Sequence, residues 1–212
     1  MAFRTVQVEQ ALAHLRSADP VLEDVIDRVG PFTLRAKRDR FAMLVRSILS
    51  QQISTKAAES IRNRLLTRLK PEPLKPGSLA NLTDEDLRAV GLSGQKVRYL
   101  RDLIDHVQSG QIELATIGRR DDTEIIAALT QVKGIGEWTA QMFLIFSLGR
   151  MDVLPHADLG IRTALKNLYA LDDLPNRADA ERLAMPWRPY ATIASWYCWR
   201  SLELTSPADS TE

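Results

Sequence analysis

The chain has 212 residues, a hydrophobic fraction of 45% and a formal net charge of +1 at pH 7. This length allows a sizeable buried core, and the single cysteine, Cys198, excludes an intramolecular disulfide framework and is expected to be a buried structural thiol. The sequence shows neither an apolar run of about 20 residues nor a secretory leader. We therefore expect a soluble, intracellular protein.

Apolar residues recur at helical spacing along most of the chain, and strand-like alternation is not seen. Ser54, Thr83 and Ser93 precede such stretches and are expected to cap helices. The sequence therefore predicts an all-α fold, with a polar, frayed tail over 206–212. The predicted helical segments are 41–49, 57–69, 83–91, 93–110, 121–129, 138–149, 161–169 and 189–204.

Two glycines interrupt the helical pattern at 132–139, where the sequence reads Val-Lys-Gly-Ile-Gly-Glu-Trp-Thr. Asp121 and Glu124 form a predicted capping box for the helix before them, and an apolar helix follows. Glycine tolerates left-handed backbone and close approach by other groups. A helix that begins at Gly134 and Gly136 would direct its unpaired N–H groups and the positive end of its dipole outward, which suits a phosphate.

A Gly-Ile-Gly string by itself is also compatible with a simple tight turn between helices. Lys133 and the continuation Trp138-Thr139-Ala140 make the string resemble the helix-hairpin-helix motif of the DNA glycosylase superfamily. With Asp158 downstream, the chain resembles the 3-methyladenine DNA glycosylase II family from about residue 40 to residue 200. Ligases and nucleases also use the hairpin, so the hairpin and the aspartate together carry the resemblance.

The resemblance implies two helical lobes with a groove between them, in one compact, monomeric unit. Residues 37–150 would form a bundle that contains the motif at 132–138. Residues 1–36 and 151–212 would form the second lobe, which carries Asp158. The additional N-terminal β-domain of larger relatives is not expected, because this chain has no room for it.

Asp158 is the expected catalytic residue. Breaking an N-glycosidic bond produces an oxocarbenium-like sugar, which a carboxylate stabilises, and the same carboxylate can orient or deprotonate the attacking water. Asp158 also follows a proline loop and precedes a helix, so it suits the role of an N-cap, and the two roles are compatible. Asp152, the competing carboxylate, matches a position that the family uses structurally.

Bifunctional relatives carry a lysine just after the hairpin that forms a Schiff base with the sugar. Trp138 occupies the matching position, so the resemblance implies a monofunctional glycosylase without lyase activity. One cysteine cannot ligate an iron–sulfur cluster, and no cofactor is expected to be required. The family's structural monovalent cation, Na⁺ or K⁺, would be held by main-chain oxygens of Thr130, Val132 and Ile135.

Double-stranded DNA that contains damaged bases is the expected partner, which implies a cytoplasmic protein associated with the nucleoid. Gln52 is expected to fill the gap that a flipped base leaves in the stack, although Gln51 and Gln52 also suit a solvent-facing turn. Because the net charge is only +1, backbone N–H groups are expected to supply most of the affinity. The implied DNA contacts are Lys133, Gly134, Ile135, Gly136 and Thr139 in the hairpin, and Gln51, Gln52 and Ile53 in the loop.

Four tryptophans are many for a chain with 6% aromatic residues. Trp196 and Trp199 have helical spacing and are expected to lie in the core. The residues that match or would complete the family's base pocket are Trp138, Trp187, Met142 and Phe41. A purine alkylated at N3 or N7 is cationic and stacks well on an indole face, so the resemblance implies excision of bases such as 3-methyladenine and 7-methylguanine in base excision repair.

Two alternatives share most of these motifs. A glycosylase for deaminated or mismatched bases would differ only in its pocket. A non-catalytic helix-hairpin-helix module would bind DNA without any chemistry at Asp158.

Overall fold

A computed structural model describes residues 3–205, and the predicted frayed tail at 206–212 lies outside them. The all-α prediction is confirmed, because residues 3–205 form helices and connecting turns without a strand. None of the described helices is long and apolar enough to cross a membrane. The helices are α1 (Thr5–Ala18), α2 (Pro20–Val29), α3 (Arg40–Ser50), α4 (Thr55–Leu69), α5 (Pro76–Ala80), α6 (Asp84–Ala89), α7 (Gly94–Gln108), α8 (Asp122–Leu129), α9 (Glu137–Phe143), α10 (Leu159–Leu168), α11 (Arg177–Leu183) and α12 (Ala191–Thr205), with a π-helix at Leu144–Leu148 and 3₁₀ turns at Ile117–Arg119 and Met185–Trp187.

The chain divides into two units. One unit is continuous and comprises Lys37–Phe143. The other is discontinuous: it is formed by the residues before Lys37 together with those from Leu144 onwards. The predicted boundary at residue 150 is therefore corrected to residue 143. The reason is the π-helix that follows α9, since its Phe146 stacks on Trp199 of α12 and so packs with the other unit.

The discontinuous unit is organised around α12, which packs against α2 and α10 and also contacts α1. Its core joins residues from both ends of the chain, among them Leu22, Ile161 and Tyr197. Cys198 is fully buried in this core, as predicted. Burial and the nearby Asp19 carboxylate raise the pKa of the Cys198 thiol to about 12, so it stays a neutral packing group.

A buried carboxylate ties α1, α2 and the C-terminal part of the chain together. Asp19 is only 6% exposed and caps α2 through Oδ1, which accepts the N–H groups of Val21 and Leu22. Its Oδ2 accepts the indole N–H of Trp187 at 2.8 Å and the hydroxyl of Tyr169. Burial, with the adjacent Asp19 carboxylate, raises the pKa of Tyr169, which keeps the hydroxyl a donor.

In the continuous unit, α3 packs against α4, α7 and α9. The predicted caps are confirmed, since Ser54 accepts from Ala57 and Ser93 accepts from Lys96. Reciprocal capping boxes begin two further helices, as the sequence predicts: Thr83 with Asp86, and Asp121 with Glu124. Each cap satisfies N–H groups that a helix start leaves without partners, so the helix starts are fixed locally.

Replacing Asp19 by alanine should be strongly destabilising. The change removes the cap of α2 and leaves the buried donors of Trp187 and Tyr169 without an acceptor. We expect the free energy of unfolding to fall by at least about 3 kcal/mol. Urea unfolding would measure this, with Asp24→Ala as control: its exposed (i,i+4) pair with Arg28 should contribute less than about 0.5 kcal/mol. Equal effects of the two variants would contradict the assigned role of Asp19.

Candidate active site and nucleic-acid interface

Asp158 is the N-cap of α10, which confirms the structural role that its position suggested. Its Oδ1 accepts the backbone N–H of Ile161 at 3.0 Å and the indole N–H of Trp199 at 2.9 Å. The side chain is half-buried. Two donors from different helices therefore fix the orientation of the carboxylate.

Trp199 belongs to the candidate site, which the sequence does not reveal. It was expected to lie in the core with Trp196, but it is only partly buried and donates to Asp158. Its ring stacks on Phe146 with centroids 5.7 Å apart and planes 24° apart. Phe146 lies in the π-helix, and such insertions recur at functional sites because they redirect side chains. Helical spacing places Trp199 on α12 but does not show that its indole faces a carboxylate.

Gly160 allows this close packing. A Cβ at Gly160 would lie 3.0 Å from Oδ1 of Asp158 and 3.0 Å from Cδ1 of Trp199. These separations are shorter than ordinary van der Waals contact, so a larger residue would push the indole or the carboxylate away. A glycine in the first turn of a helix is the sequence signal that could have identified this contact.

Trp187 does not line an accessible surface, so its predicted role in the base pocket is wrong. It is fully buried, and its indole N–H is bound to Asp19. Asp152 has the structural role that was expected, because it accepts from Arg188 at 2.8 Å and from the backbone N–H of Ala191 at the start of α12. Helix α12 begins at Ala191, two residues later than predicted.

The other predicted pocket residues belong to the continuous unit and differ in exposure. Phe41 is 6% exposed and Met142 is 7% exposed, so both are mainly core residues of α3 and α9. Trp138 is 44% exposed at the start of α9. Of these three aromatic or sulfur-containing side chains, Trp138 alone presents a large surface.

The predicted hairpin is a tight turn from Val132 to Ile135. The N–H of Ile135 donates to the carbonyl of Val132 at 3.0 Å, and Gly134 has φ +83°, which a type II turn requires at its third residue. The backbone N–H of Ile135 is therefore used inside the turn, and its side chain is buried, so Ile135 is not the predicted DNA contact. The N–H groups of Gly134 and Gly136 donate to no other described residue.

Two more of the predicted contacts stay predictions, and the structure shows what surrounds them. Thr139 is 5% exposed within α9, so its side chain does not face solvent. Lys133 has an exposed side chain, but its ammonium lies 3.1 Å from a carboxylate oxygen of Asp102. The ammonium that is predicted to meet a phosphate therefore lies beside a carboxylate and remains largely exposed.

The loop between α3 and α4 lies beside the hairpin. Gln51 donates through Nε2 to the carbonyl of Gly134 at 2.6 Å, so it holds the two segments together. Gln52 is exposed and has φ +56°, a strained value for a residue other than glycine. Ile53 is 37% exposed. A cleft of about 540 Å³ is lined by this loop, Gly134 and the start of α7.

A buried lysine of α7 supports the end of α3, where the same loop begins. Lys96 donates through Nζ to the carbonyl of Leu49 at 2.7 Å, near the C-terminal end of α3. Burial lowers the pKa of Lys96. A cation at a helix C-terminus interacts favourably with the helix dipole, so Lys96 helps to fix where α3 ends and the loop begins.

The fold and this pair of sites define a helix-hairpin-helix repair protein. Residues 45–189 match the HhH-GPD superfamily of base excision DNA repair proteins, and the chain belongs to this superfamily. It is 33% identical over 200 residues to DNA-3-methyladenine glycosylase 1 of Schizosaccharomyces pombe, with 92% of this chain and 88% of the relative covered. The predicted family resemblance is confirmed.

Solved structures agree with this assignment. The Schizosaccharomyces pombe 3-methyladenine DNA glycosylase in complex with abasic DNA superimposes with a TM-score of 0.82 and 31% identity, over 96% of this chain and 100% of that one. A DNA-3-methyladenine glycosidase from Bacillus halodurans gives a TM-score of 0.81 and 35% identity, over 95% and 91% of the two chains.

Gly160→Ala should disturb the contact between Trp199 and Asp158. The new Cβ needs space that the indole occupies, so we expect the Trp199 indole N–H resonance to shift and its hydrogen exchange to become faster. Gly77→Ala is the matched control, because Gly77 is also the second residue of a helix and has open space around its Cβ position. An unchanged Trp199 resonance in Gly160→Ala would show that the packing is looser than described.

Proposed function

We propose that this protein is a monofunctional DNA glycosylase that hydrolyses the N-glycosidic bond of alkylated purines, of the 3-methyladenine and 7-methylguanine type, in double-stranded DNA. The relatives named as 3-methyladenine glycosylases support the substrate class. The observation that carries the proposal is the carboxylate of Asp158, held at Oδ1 by the N–H groups of Trp199 and Ile161. A fixed carboxylate needs little reorganisation when positive charge develops beside it.

The proposed reaction uses one water molecule. The bond between the anomeric carbon and the base breaks, and its electron pair leaves with the base. The sugar becomes oxocarbenium-like, and the negative charge of Asp158 stabilises it. Water then bonds to the anomeric carbon, with Asp158 orienting it or accepting its proton. An N3- or N7-alkylated purine is already cationic and leaves as a neutral base, which lessens the need for a general acid.

The stacked pair of Phe146 and Trp199 replaces Trp187 in the proposed recognition of the base. Both rings are partly exposed, and Trp199 is bonded to the proposed catalytic carboxylate. A cationic purine is attracted to an aromatic face by the ring quadrupole, and indole is the best of these faces.

The proposed DNA grip is made mainly by the backbone. The N–H groups of Gly134 and Gly136 suit phosphate oxygens at the start of α9. Gln52 is proposed to enter the base stack from a loop that Gln51 fixes to the hairpin. The cost of flipping a base is a few kcal/mol and is smallest for a damaged pair.

The monofunctional assignment follows from the residues near the hairpin. Helix α9 contains no lysine, and Trp138 stands at the position of the family's nucleophile. We also propose that no cofactor is required for hydrolysis. Carbonyl oxygens of Thr130, Val132 and Ile135 would hold a structural monovalent cation; Val132 already accepts one hydrogen bond, which leaves it a second lone pair.

Asp158→Asn should abolish most catalysis while the fold is kept, because asparagine is also a good N-cap. We expect release of the base from methylated duplex to slow by at least about 100-fold, with duplex affinity unchanged. A panel of lesion-bearing duplexes and identification of the released bases would measure this. Asp173→Asn, in an exposed loop, is the charge-matched control.

The same panel separates the alternatives. Unchanged release by Asp158→Asn would overturn the catalytic assignment, and binding without any release by the wild-type protein would indicate a non-catalytic module. Release of deaminated or mismatched bases in preference to alkylated purines would overturn the proposed substrate class.

The wild-type protein should leave intact abasic strands. We expect strand breaks only after alkali treatment, and no covalent complex with DNA after borohydride, because trapping requires a Schiff base to a lysine. A borohydride-trapped complex would contradict the monofunctional assignment and would locate the nucleophile by peptide mapping.

A further inference from the structure

Helix α7 presents a polar stripe to the hairpin turn. Gln95, Tyr99, Asp102 and His106 are spaced by four, three and four residues, which places them on one face of the helix. The ring of Tyr99 lies directly against Gly134, where a Cβ would come within 2.2 Å of the ring. Gln95 donates to the hydroxyl of Tyr99 and so holds that ring in place.

Asp102 makes the polar contact between this stripe and the hairpin. Its Oδ2 accepts the backbone N–H of Lys133 at 2.8 Å. Lys133 is the second residue of the turn, and the N–H of that residue takes no part in the bond that closes a β-turn. Asp102 therefore accepts the N–H of Lys133, which has no partner within the turn. The bond can form only when the turn has its correct geometry.

The surroundings of Asp102 favour the ionised form of its carboxyl group. Its side chain is 16% exposed, and Oδ1 lies 3.1 Å from the ammonium of Lys133. Burial by itself raises the pKa of Asp102, but the hydrogen bonds from Lys133 together with the charges of Lys133 and His106 outweigh it, so the pKa lies below its usual value. His106, one turn further along α7, bonds through Nδ1 to the backbone carbonyl of Asp102.

A carboxylate beside a phosphate-binding turn is unfavourable for DNA binding by charge alone, since it repels phosphate and neutralises Lys133. Its contacts instead serve the backbone of the turn. We propose that Asp102 is a positioning residue for DNA binding, which holds the Val132–Lys133 peptide, and with it the turn, so that the N–H groups of Gly134 and Gly136 face a phosphate. This inference rests on the proposed binding of duplex DNA by the hairpin.

The two roles predict opposite signs for Asp102→Ala. If Asp102 acted only as a surface charge, its removal would tighten DNA binding and free Lys133 for a phosphate. If it positions the turn, its removal weakens binding. We expect the Kd for methylated duplex to rise about tenfold, because a charge-assisted hydrogen bond to the backbone is lost. Asp105→Ala, on the exposed face of the same helix, removes the same charge and should leave the Kd unchanged or lower it.

Asp102→Asn separates the acceptor from the charge. The amide oxygen can still accept the N–H of Lys133, so we expect a Kd within about threefold of the wild type. The freed ammonium of Lys133 should steepen the slope of log K against log salt by about one. Excision rates in single turnovers at saturating protein should be unchanged in both variants, since positioning of the turn acts on binding rather than on Asp158.

Amide hydrogen exchange gives a readout that does not depend on DNA. In Asp102→Ala, the N–H of Ile135, which closes the turn, should exchange faster than in the wild type, while protection in α4 and α8 stays the same. A Kd for Asp102→Ala equal to or below that of the wild type would overturn the proposal. If Asp102→Ala does not fold, a Kd for Asp102→Asn more than tenfold above the wild type would overturn it, because charge rather than the retained acceptor would then be decisive. Failure of the wild type to bind any duplex would instead overturn the proposed function itself.

Discussion

The absence of a side chain at two glycines is the constraint on which both sites depend. In each unit a glycine lets the backbone approach an aromatic ring that a Cβ would displace: Gly134 against Tyr99, and Gly160 against Trp199. The first contact seats the hairpin turn on α7. The second brings an indole N–H to the carboxylate of Asp158. The proposed DNA binding and the proposed chemistry therefore both depend on a glycine backbone that packs directly against an aromatic ring.

Local chemistry made much of this fold predictable. Helix starts at Ser54, Thr83, Ser93 and Asp121 were identified because a cap needs only residues a few positions apart. The hairpin and the N-cap at Asp158 were found in the same way. The π-helix at Leu144–Leu148 was not, since one residue added to a turn leaves an apolar pattern almost unchanged, and the boundary between the units was misplaced as a result.

The burial and the hydrogen-bond partners of individual side chains depend on the tertiary structure and could not be predicted from the sequence. Periodicity shows which face of a helix is apolar but not how deeply a side chain lies, so it does not show that Trp187 is fully buried or that Trp199 is partly exposed and donates to Asp158. The motif likewise identified Lys133 and Ile135 as DNA contacts. The backbone N–H groups of these two residues bind Asp102 and Val132, and the bond to Asp102 joins residues 31 positions apart, which no short motif covers.

The hydrogen bonds of Asp19 impose an order on how the chain can acquire its structure. The carboxylate takes its partners 150 and 168 residues later, from Tyr169 and Trp187. The intervening unit is continuous in sequence and contains the hairpin together with its supporting helix α7. During synthesis from the N-terminus, this unit can become complete while α1 and α2 still lack most of their core. Helices α1 and α2 are thus synthesised first, but their core is completed last. Until α12 has been synthesised, the apolar residues that pack against it stay exposed.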